Sequence, residues 1–418
     1  MKCNEVFTPG IFPKVTFVDS HIKAKQQILR DGLETKSMLI AVSGPSKSGK
    51  TVFVEDVVGR DNLIHVTGAG VTSPQVLWQR VFDIIGTPTE QTKVTEKNIQ
   101  AAIGAKLTTE ANALFVKGGG EVGATGTWAE KDGVTEKYSQ DFLQLLIKEL
   151  KGTSYVIFID DFHYIPRDVQ KILAEHIKEA IRQGINIVCA SVPYHSDDVL
   201  KANSDLRGRI LTIDLDYWNP EILAEIAVKG FAALQVKYSK PFLQNIVAES
   251  AGSPQLMQTI CLNACYEGKV RTTNTNDTLM LGENSEFTKD VCMRTVMSTD
   301  YSSVVEKMRE GPKTRGTERN QHVLKDGSRF DVYPIVLKAI AQNPPLLNFR
   351  YADLVSRIES LCGENGPSGS SVTGACFHIS QIANDSSNQN IMEWDGSSDV
   401  LDIRDPYLLF YLRWSEKY

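Results

Sequence analysis

The chain has 418 residues, 42% of them hydrophobic and 23% charged, with a formal charge of −6. That length predicts two or three domains with ample core for each, and the mild acidity removes any global attraction to nucleic acid or an anionic membrane. No apolar run approaches the ~20 residues of a membrane span, the N-terminus lacks the apolar stretch of a signal peptide, and the seven cysteines are too sparse for a disulfide framework. A cytoplasmic protein is expected.

Residues 1–20 carry Pro9, Gly10 and Pro13 and cannot form one regular element. His21 to Leu33 reads as a helix. Ser37 to Ser43 is then an apolar run long enough for one buried strand, followed at once by Gly44-Pro45-Ser46-Lys47-Ser48-Gly49-Lys50-Thr51 and a helical stretch over Val52–Val58. This is the GxxxxGK[ST] phosphate loop in its required strand–loop–helix setting. Gly44 and Gly49 let the backbone turn tightly, so that peptide N–H groups and the helix N-terminus hold phosphate oxygens. Lys50 is expected to reach the β- and γ-phosphates and the Thr51 hydroxyl to ligate Mg²⁺. The chain is therefore expected to bind a nucleoside triphosphate. A lead-in such as residues 1–20 often packs beside the adenine.

Leu63–Val66 is a second short strand, and Ser73-Pro74 opens a helix through Ile85 as cap and first-turn proline. Residues 86–134, rich in Thr, Gly and Ala, read as an inserted β-hairpin or a mobile loop, longer than a plain connection needs. Thr135–Leu150 is helical, with Phe142, Leu143, Leu145, Leu146 and Leu150 as its apolar stripe. Tyr155 to Ile159 is an apolar strand ending in Asp160-Asp161, the form of a Walker B strand. Asp160 would hold the Mg²⁺ water shell beside Thr51, and Asp161 would orient or deprotonate the attacking water. Pro166–Arg182 is a helix and Ile185–Ser191 a strand, whose last residue either senses the γ-phosphate or simply suits a strand end. Asp197–Ala202 is a short helix and Arg209–Ile213 a fifth strand, with Arg207 and Arg209 at its start. This alternation predicts an α/β fold, a parallel sheet with helices on both faces, with ligand at the strands' carboxyl ends.

After this core at 1–216, residues 217–268 read as a helical lid, with helices from Trp218-Asn219-Pro220, Pro241 and Pro254. Pro254 is suited to press on an adenine face, and equally to start a helix with no ligand. Cys261 and Cys265, one turn apart with no further ligands in view, read as buried thiols. Residues 269–330 are expected as linker and helix: Thr-, Asn- and Gly-rich at 267–283, helical over Phe287–Met308, and a polar, solvated loop over Glu310–Arg329. Residues 331–418 show three helical segments, Val332–Ile340, Tyr351–Ile358 and Val372–Ile382, then a hairpin around Gly396, the order of a winged helix. This region holds six Lys and Arg against eleven Asp and Glu, and Val372–Ile382 has no basic residue. Phosphate neutralisation drives most DNA affinity, so an intramolecular or protein-binding role is favoured over DNA reading.

In this order the motifs resemble those of the STAND ATPases, which belong to the wider AAA+-related group alongside the origin-recognition ATPases. The closing Asp405-Pro406-Tyr407-Leu408-Leu409-Phe410-Tyr411-Leu412-Arg413-Trp414 also resembles the end of prokaryotic ATPases of this type. The resemblance spans most of residues 15–418, although only the phosphate loop is specific alone. It implies ATP and Mg²⁺ as ligands, Pro254 at the adenine, and Arg207 or Arg209 reaching the γ-phosphate, often that of a neighbouring subunit. Two departures stand out. Gln255 follows Pro254 with no arginine where many AAA+ proteins place a second sensor, and Asp161 replaces the glutamate common in motors, which implies slow turnover and a switch. The functional expectation is a nucleotide-gated switch acting through self-assembly or a separate effector or sensor protein, in signalling or anti-phage defence. The alternatives are an origin-recognition-like DNA-binding ATPase and a scaffold whose bound nucleotide only stabilises the fold.

Overall fold

Five short strands with the expected apolar character build the central sheet of the computed structural model. It describes residues 1–87, 141–192, 208–274, 279–313, 316, 318–387 and 389–415. Residues 88–134 of the expected insertion, the start of the helix expected from Thr135, the short helix Asp197–Ala202 and Arg207 lie outside the described residues.

The strands are β1 (Leu39–Ser43), β2 (Leu63–Thr67), β3 (Val156–Asp160), β4 (Asn186–Ser191) and β5 (Ile210–Asp214), paired in the order β2-β3-β4-β1-β5. All four pairings are parallel. The inner strand β1 is buried along its whole length, whereas edge strand β2 alternates, with Ile64 and Val66 buried and His65 and Thr67 exposed. That is the pattern expected of strands covered on both faces and of an edge strand, respectively. One face carries helices Pro74–Ile85, Phe142–Leu150 and Arg167–Arg182, centred on buried Trp78 and Phe162. The other carries Lys23–Glu34 and Lys50–Val58 over Ile40, Val42 and Phe158. Since β4 lies between β1 and β3, the phosphate loop and the paired acids leave the sheet two strands apart, on the same edge.

A third core joins everything else. It runs from Val6 and Phe7 through the helices Pro220–Ala233, Lys240–Glu249 and Pro254–Glu267 to Ile335, Phe349, Leu401 and Phe410 near the C-terminus. The N-terminal segment enters this core where Gly230 leaves room for Phe7, since a Cβ there would meet the ring at 2.2 Å. Two parts of the stretch expected as a linker make β contacts. Lys2 bridges to Thr272, and Met280–Leu281 pairs parallel with Lys237–Tyr238, its Leu281 side chain buried. The helix expected over Phe287–Met308 is two helices, Ser285–Val296 and Ser302–Glu310. Asp300 accepts from the Ser302 N–H and hydroxyl and so opens a new start. In the polar stretch after Glu310, Arg319 donates to the Glu310 carbonyl and Asp331, and the short strands His322–Val323 and Arg329–Phe330 pair.

The last part runs helix Val332–Ile340, strand Asn348–Arg350, helix Tyr351–Cys362, helix Gly369–Ser387, then the hairpin Met392–Asp395 with Val400–Ile403. The three strands form one antiparallel sheet with Val400–Ile403 in the middle. All seven cysteines are buried free thiols, and burial raises the pKa of both Cys261 and Cys265.

Candidate functional site

At the carboxyl end of β1 the loop Gly44–Gly49 turns into the helix Lys50–Val58, with Gly49 at φ +98° as the residue before it. A left-handed residue there is what glycine tolerates at least cost. Lys47 is also left-handed, at φ +61°. Four loop carbonyls have partners. Lys50 Nζ donates to Gly44 and Pro45 oxygens at 2.9 Å each, the Ser253 hydroxyl to Lys47 O at 3.4 Å, and the Trp218 indole to Ser48 O at 3.0 Å. The loop is thereby held from outside by the lid, with the first turn of a nine-residue helix behind it, the arrangement that favours anions.

The two acids at the end of β3 meet this loop. The Thr51 hydroxyl donates to Asp160 Oδ2 at 2.7 Å. Thr67 at the end of β2 pairs with Asp160, which brings His65 beside it, with Nε2 3.5 Å from Oδ2. Burial alone would raise the Asp160 pKa, but hydrogen bonds from His65 and Thr51 and the charge of Lys50 take it below the usual carboxylate value. Asp161 sits at φ +55° and goes the other way: burial first, then the Asp160 charge, raise its proton affinity. The close approach of Gly68 shapes this corner, for its N–H donates to Asp160 O at 2.7 Å and a Cβ there would meet Asp161 O at 2.5 Å. Desolvation lowers the pKa of Lys50, outweighing the charges of Asp160 and Asp161, which raise it.

A cavity of about 720 Å³ opens over these groups. Ser46 to Thr51, Asp160 and Asp161 line it together with Phe12, Phe17, Trp218 and Pro254. Phe12 and Phe17 stack at 5.1 Å, and Pro254 begins its helix behind the Ser253 cap. The residues fit a nucleoside triphosphate on a further observation. Two buried hydroxyls on the cavity wall, Ser48 Oγ in the phosphate loop and Thr8 Oγ1 in the N-terminal segment, have no hydrogen-bond partner. Buried polar groups are normally satisfied. The hydroxyl and carboxylate oxygens of Thr51 and Asp160 are the hard donors that suit Mg²⁺.

Two expected residues stand apart. Ser191 ends β4 opposite Ser43, and its carbonyl accepts from Gly44 N–H at 3.2 Å, but it is not among the residues lining the cavity. Arg209, exposed, precedes β5 at its amino end, where its carbonyl accepts from Leu39 N–H. The five-residue strand separates it from its own loop by about 16 Å at ~3.3 Å per residue. Three site residues escaped sequence reasoning: His65, Trp218 and Thr8. A histidine in an edge strand, a tryptophan before a helix and a threonine in an irregular lead-in carry no periodic signal of their own.

No protein-family model matches the chain, and neither does any curated protein. Among solved structures it is similar to the Walker-type ATPase PABY2304 of Pyrococcus abyssi at 14% identity, covering 98% of this chain and 97% of that one, with a TM-score of 0.50. It is similar to the ORC2 protein of Aeropyrum pernix, solved in ADPNP–ADP complexes, at 13% identity, covering 98% and 96%, again with a TM-score of 0.50. At such identities the likeness shows the fold: an α/β P-loop architecture extending over nearly the whole chain.

Proposed function

We propose that this protein is an ATP-binding and slowly hydrolysing molecular switch of the STAND-like kind. Its nucleotide state would control assembly with itself or with a separate effector or sensor protein, in signalling or anti-phage defence. One observation carries the reading: the phosphate loop and both acids face the lid across a single cavity, and that lid shares its core with the C-terminal part. What fills the cavity therefore bears on where the C-terminal part sits. We read residues 331–418 as a winged helix, and the division into core, lid, connecting helices and winged helix as the units of the switch.

In this mechanism Lys50 neutralises the phosphate chain from within the loop, and the N–H groups of the helix start hold its oxygens. Mg²⁺, held by Thr51 and Asp160, would neutralise charge on the β- and γ-phosphates. Asp161, with its raised proton affinity, orients the attacking water and accepts its proton. Pro254 and the Phe12–Phe17 pair form the apolar walls for the base. Arg209, or Arg207, completes the γ-phosphate contact of a neighbouring subunit.

The second reading, an origin-recognition-like DNA-binding ATPase, has in its favour the likeness in fold to the ORC2 protein along almost the full chain. Against it stand the acidic C-terminal part and the helix Gly369–Ser387, which contains no Lys or Arg. Calorimetry with ATP and ADP, single-turnover hydrolysis, and DNA retention across a salt series separate the two. ATP bound and slowly cleaved with no sequence-selective DNA complex supports the switch. Failure to bind either nucleotide removes both readings.

A further inference from the structure

Besides lining the cavity, Lys47 reaches out of it. Its Nζ donates to Asp405 Oδ2 at 2.8 Å and stands 4.9 Å from the centre of the Tyr407 ring. Asp405 is the N-cap of the last helix, Pro406–Trp414, and its Oδ1 accepts from Tyr407 N–H at 2.9 Å. The Tyr301 hydroxyl also donates to Oδ2, at 2.6 Å, and the Tyr407 hydroxyl bonds to Thr259 on the lid at 2.7 Å. Asp405 is 3% exposed, so its carboxylate depends on these partners rather than on water. The opposite end of the same helix is fixed separately. Arg413 makes two bonds to Glu249 of the lid, at 2.9 and 2.6 Å. The charges of Asp405 and Asp161 both act on Tyr164, and that of Lys47 acts on Asp161. The helix cap and the acid assigned to the attacking water thus share one electrostatic neighbourhood.

We propose that Lys47 reads the terminal phosphate, being shared between Asp405 and the γ-phosphate, so that a triphosphate releases the Asp405 end of the last helix while a diphosphate leaves it clamped. This rests on the nucleotide-binding reading above and names its regulation. The physical reason is competition for one cation. Lys47 lines the cavity, so a γ-phosphate there would compete for its ammonium, and each Lys47 hydrogen bond drawn to phosphate is lost to Asp405. The buried carboxylate is then left without its cation and beside a polyanion, which disfavours the clamped arrangement. With Arg413 still held by Glu249, the helix loosens at its first turn and keeps its last. The differential affinity of the two nucleotides for the clamped and released states is what shifts the population.

The test is hydrogen–deuterium exchange of the full chain without nucleotide, with Mg-ADP and with a slowly hydrolysed Mg-ATP analogue, alongside calorimetry of both ligands. Wild type should exchange peptides over residues 405–410 about tenfold faster with the analogue than with ADP, with residues 411–414 unchanged. Asp405→Asn keeps a capping side chain but loses the charge. It should exchange quickly in all three conditions and bind the analogue several-fold more tightly, with ADP affinity unchanged. Tyr301→Phe retains the Lys47–Asp405 pair and should keep the difference between nucleotides, which guards against a general loosening of the helix in Asp405→Asn. Both nucleotides bound with equal exchange at 405–410 in wild type, or a full nucleotide response in Asp405→Asn, overturns the latch alone. No binding of either nucleotide overturns the latch together with the function it rests on.

Discussion

At the scale of single residues, two neighbouring carboxylates differ in proton affinity. Asp160 is held below the usual range against its burial by His65, Thr51 and Lys50, while Asp161 keeps a raised affinity for a proton. Asp161→Asn should therefore retain ATP and slow single-turnover hydrolysis by about 10²-fold or more. Asp160→Asn should instead abolish the dependence of binding on Mg²⁺ in calorimetry. Normal hydrolysis by Asp161→Asn would assign the water to another group. Lys50→Ala removes a buried ammonium that lines the cavity and donates to the Gly44 and Pro45 carbonyls. Hydrogen bonds to charged groups contribute about 1.5–3 kcal/mol each. ATP affinity should accordingly fall about 100-fold or more while the thermal transition remains cooperative. Unchanged affinity would remove the basis of the functional reading.

At the scale of elements, the closing run from Asp405 to Trp414 is explained by what it touches. Its first residue caps the helix and meets the phosphate loop, Tyr407 meets the lid, and Arg413 with Trp414 close on Glu249. The Arg413–Glu249 pair is 6% and 9% exposed and has the two-pronged geometry of a strong ion pair. Glu249→Ala leaves a buried guanidinium without its counter-charge, which costs about 3–5 kcal/mol. The expected result is a large drop in the denaturation midpoint by far-UV circular dichroism, with the loss concentrated in the lid and C-terminal part. A midpoint within error of wild type would mean that the remaining bonds from Arg413 to Ala341, Gln342 and Asn343 are sufficient. Ser253→Ala is a milder change. It deletes the cap of Pro254–Glu267 and the bond to the loop carbonyl, about 1 kcal/mol of stability for the cap, and should also weaken ATP binding measurably.

At the scale of the whole molecule, the cores divide the chain unequally. The sheet has a core on each face, and a third core runs from the N-terminal segment through the lid to the last helix. Movement of the sheet domain against this larger body, across the cavity, disturbs fewer apolar contacts than separation of lid from C-terminal part. The proposed switch gives Arg209, a strand length from its own loop, a contact with the phosphate of a neighbouring subunit. Arg209→Ala should then lose ATP-dependent assembly and turnover but retain ATP binding, as read by mass photometry with Mg-ATP, with and without cell extract. Equal assembly of wild type and of both Arg209→Ala and Arg207→Ala would exclude the shared arginine. The acidic C-terminal part should bind duplex DNA weakly and without sequence preference at ~150 mM salt. A nanomolar, sequence-selective complex mapping to Gly369–Ser387 would favour the origin-recognition reading.

The amino-acid sequence by itself determined the local chemistry, because the phosphate loop is contiguous. Gly44 to Thr51, the strand before it and the helix after it are neighbours along the chain, and steric rules and periodicity operate at that range. The same holds for the apolar strand ending in Asp160 and for the helix starts at Ser73, Asn219 and Ser253, each marked by a capping side chain with proline behind it. What the tertiary structure alone decided are the pairings between distant residues. The strand order placed β2 beside β3 and so put His65 against Asp160. Chain reversal brought Thr8, 42 residues before Lys50, to the cavity that Lys50 serves. The last helix reached the phosphate loop through Asp405, which lies 358 positions from Lys47 and accepts its charged hydrogen bond. Burial is what selects such contacts, and burial is a property of the packed chain rather than of any window along it.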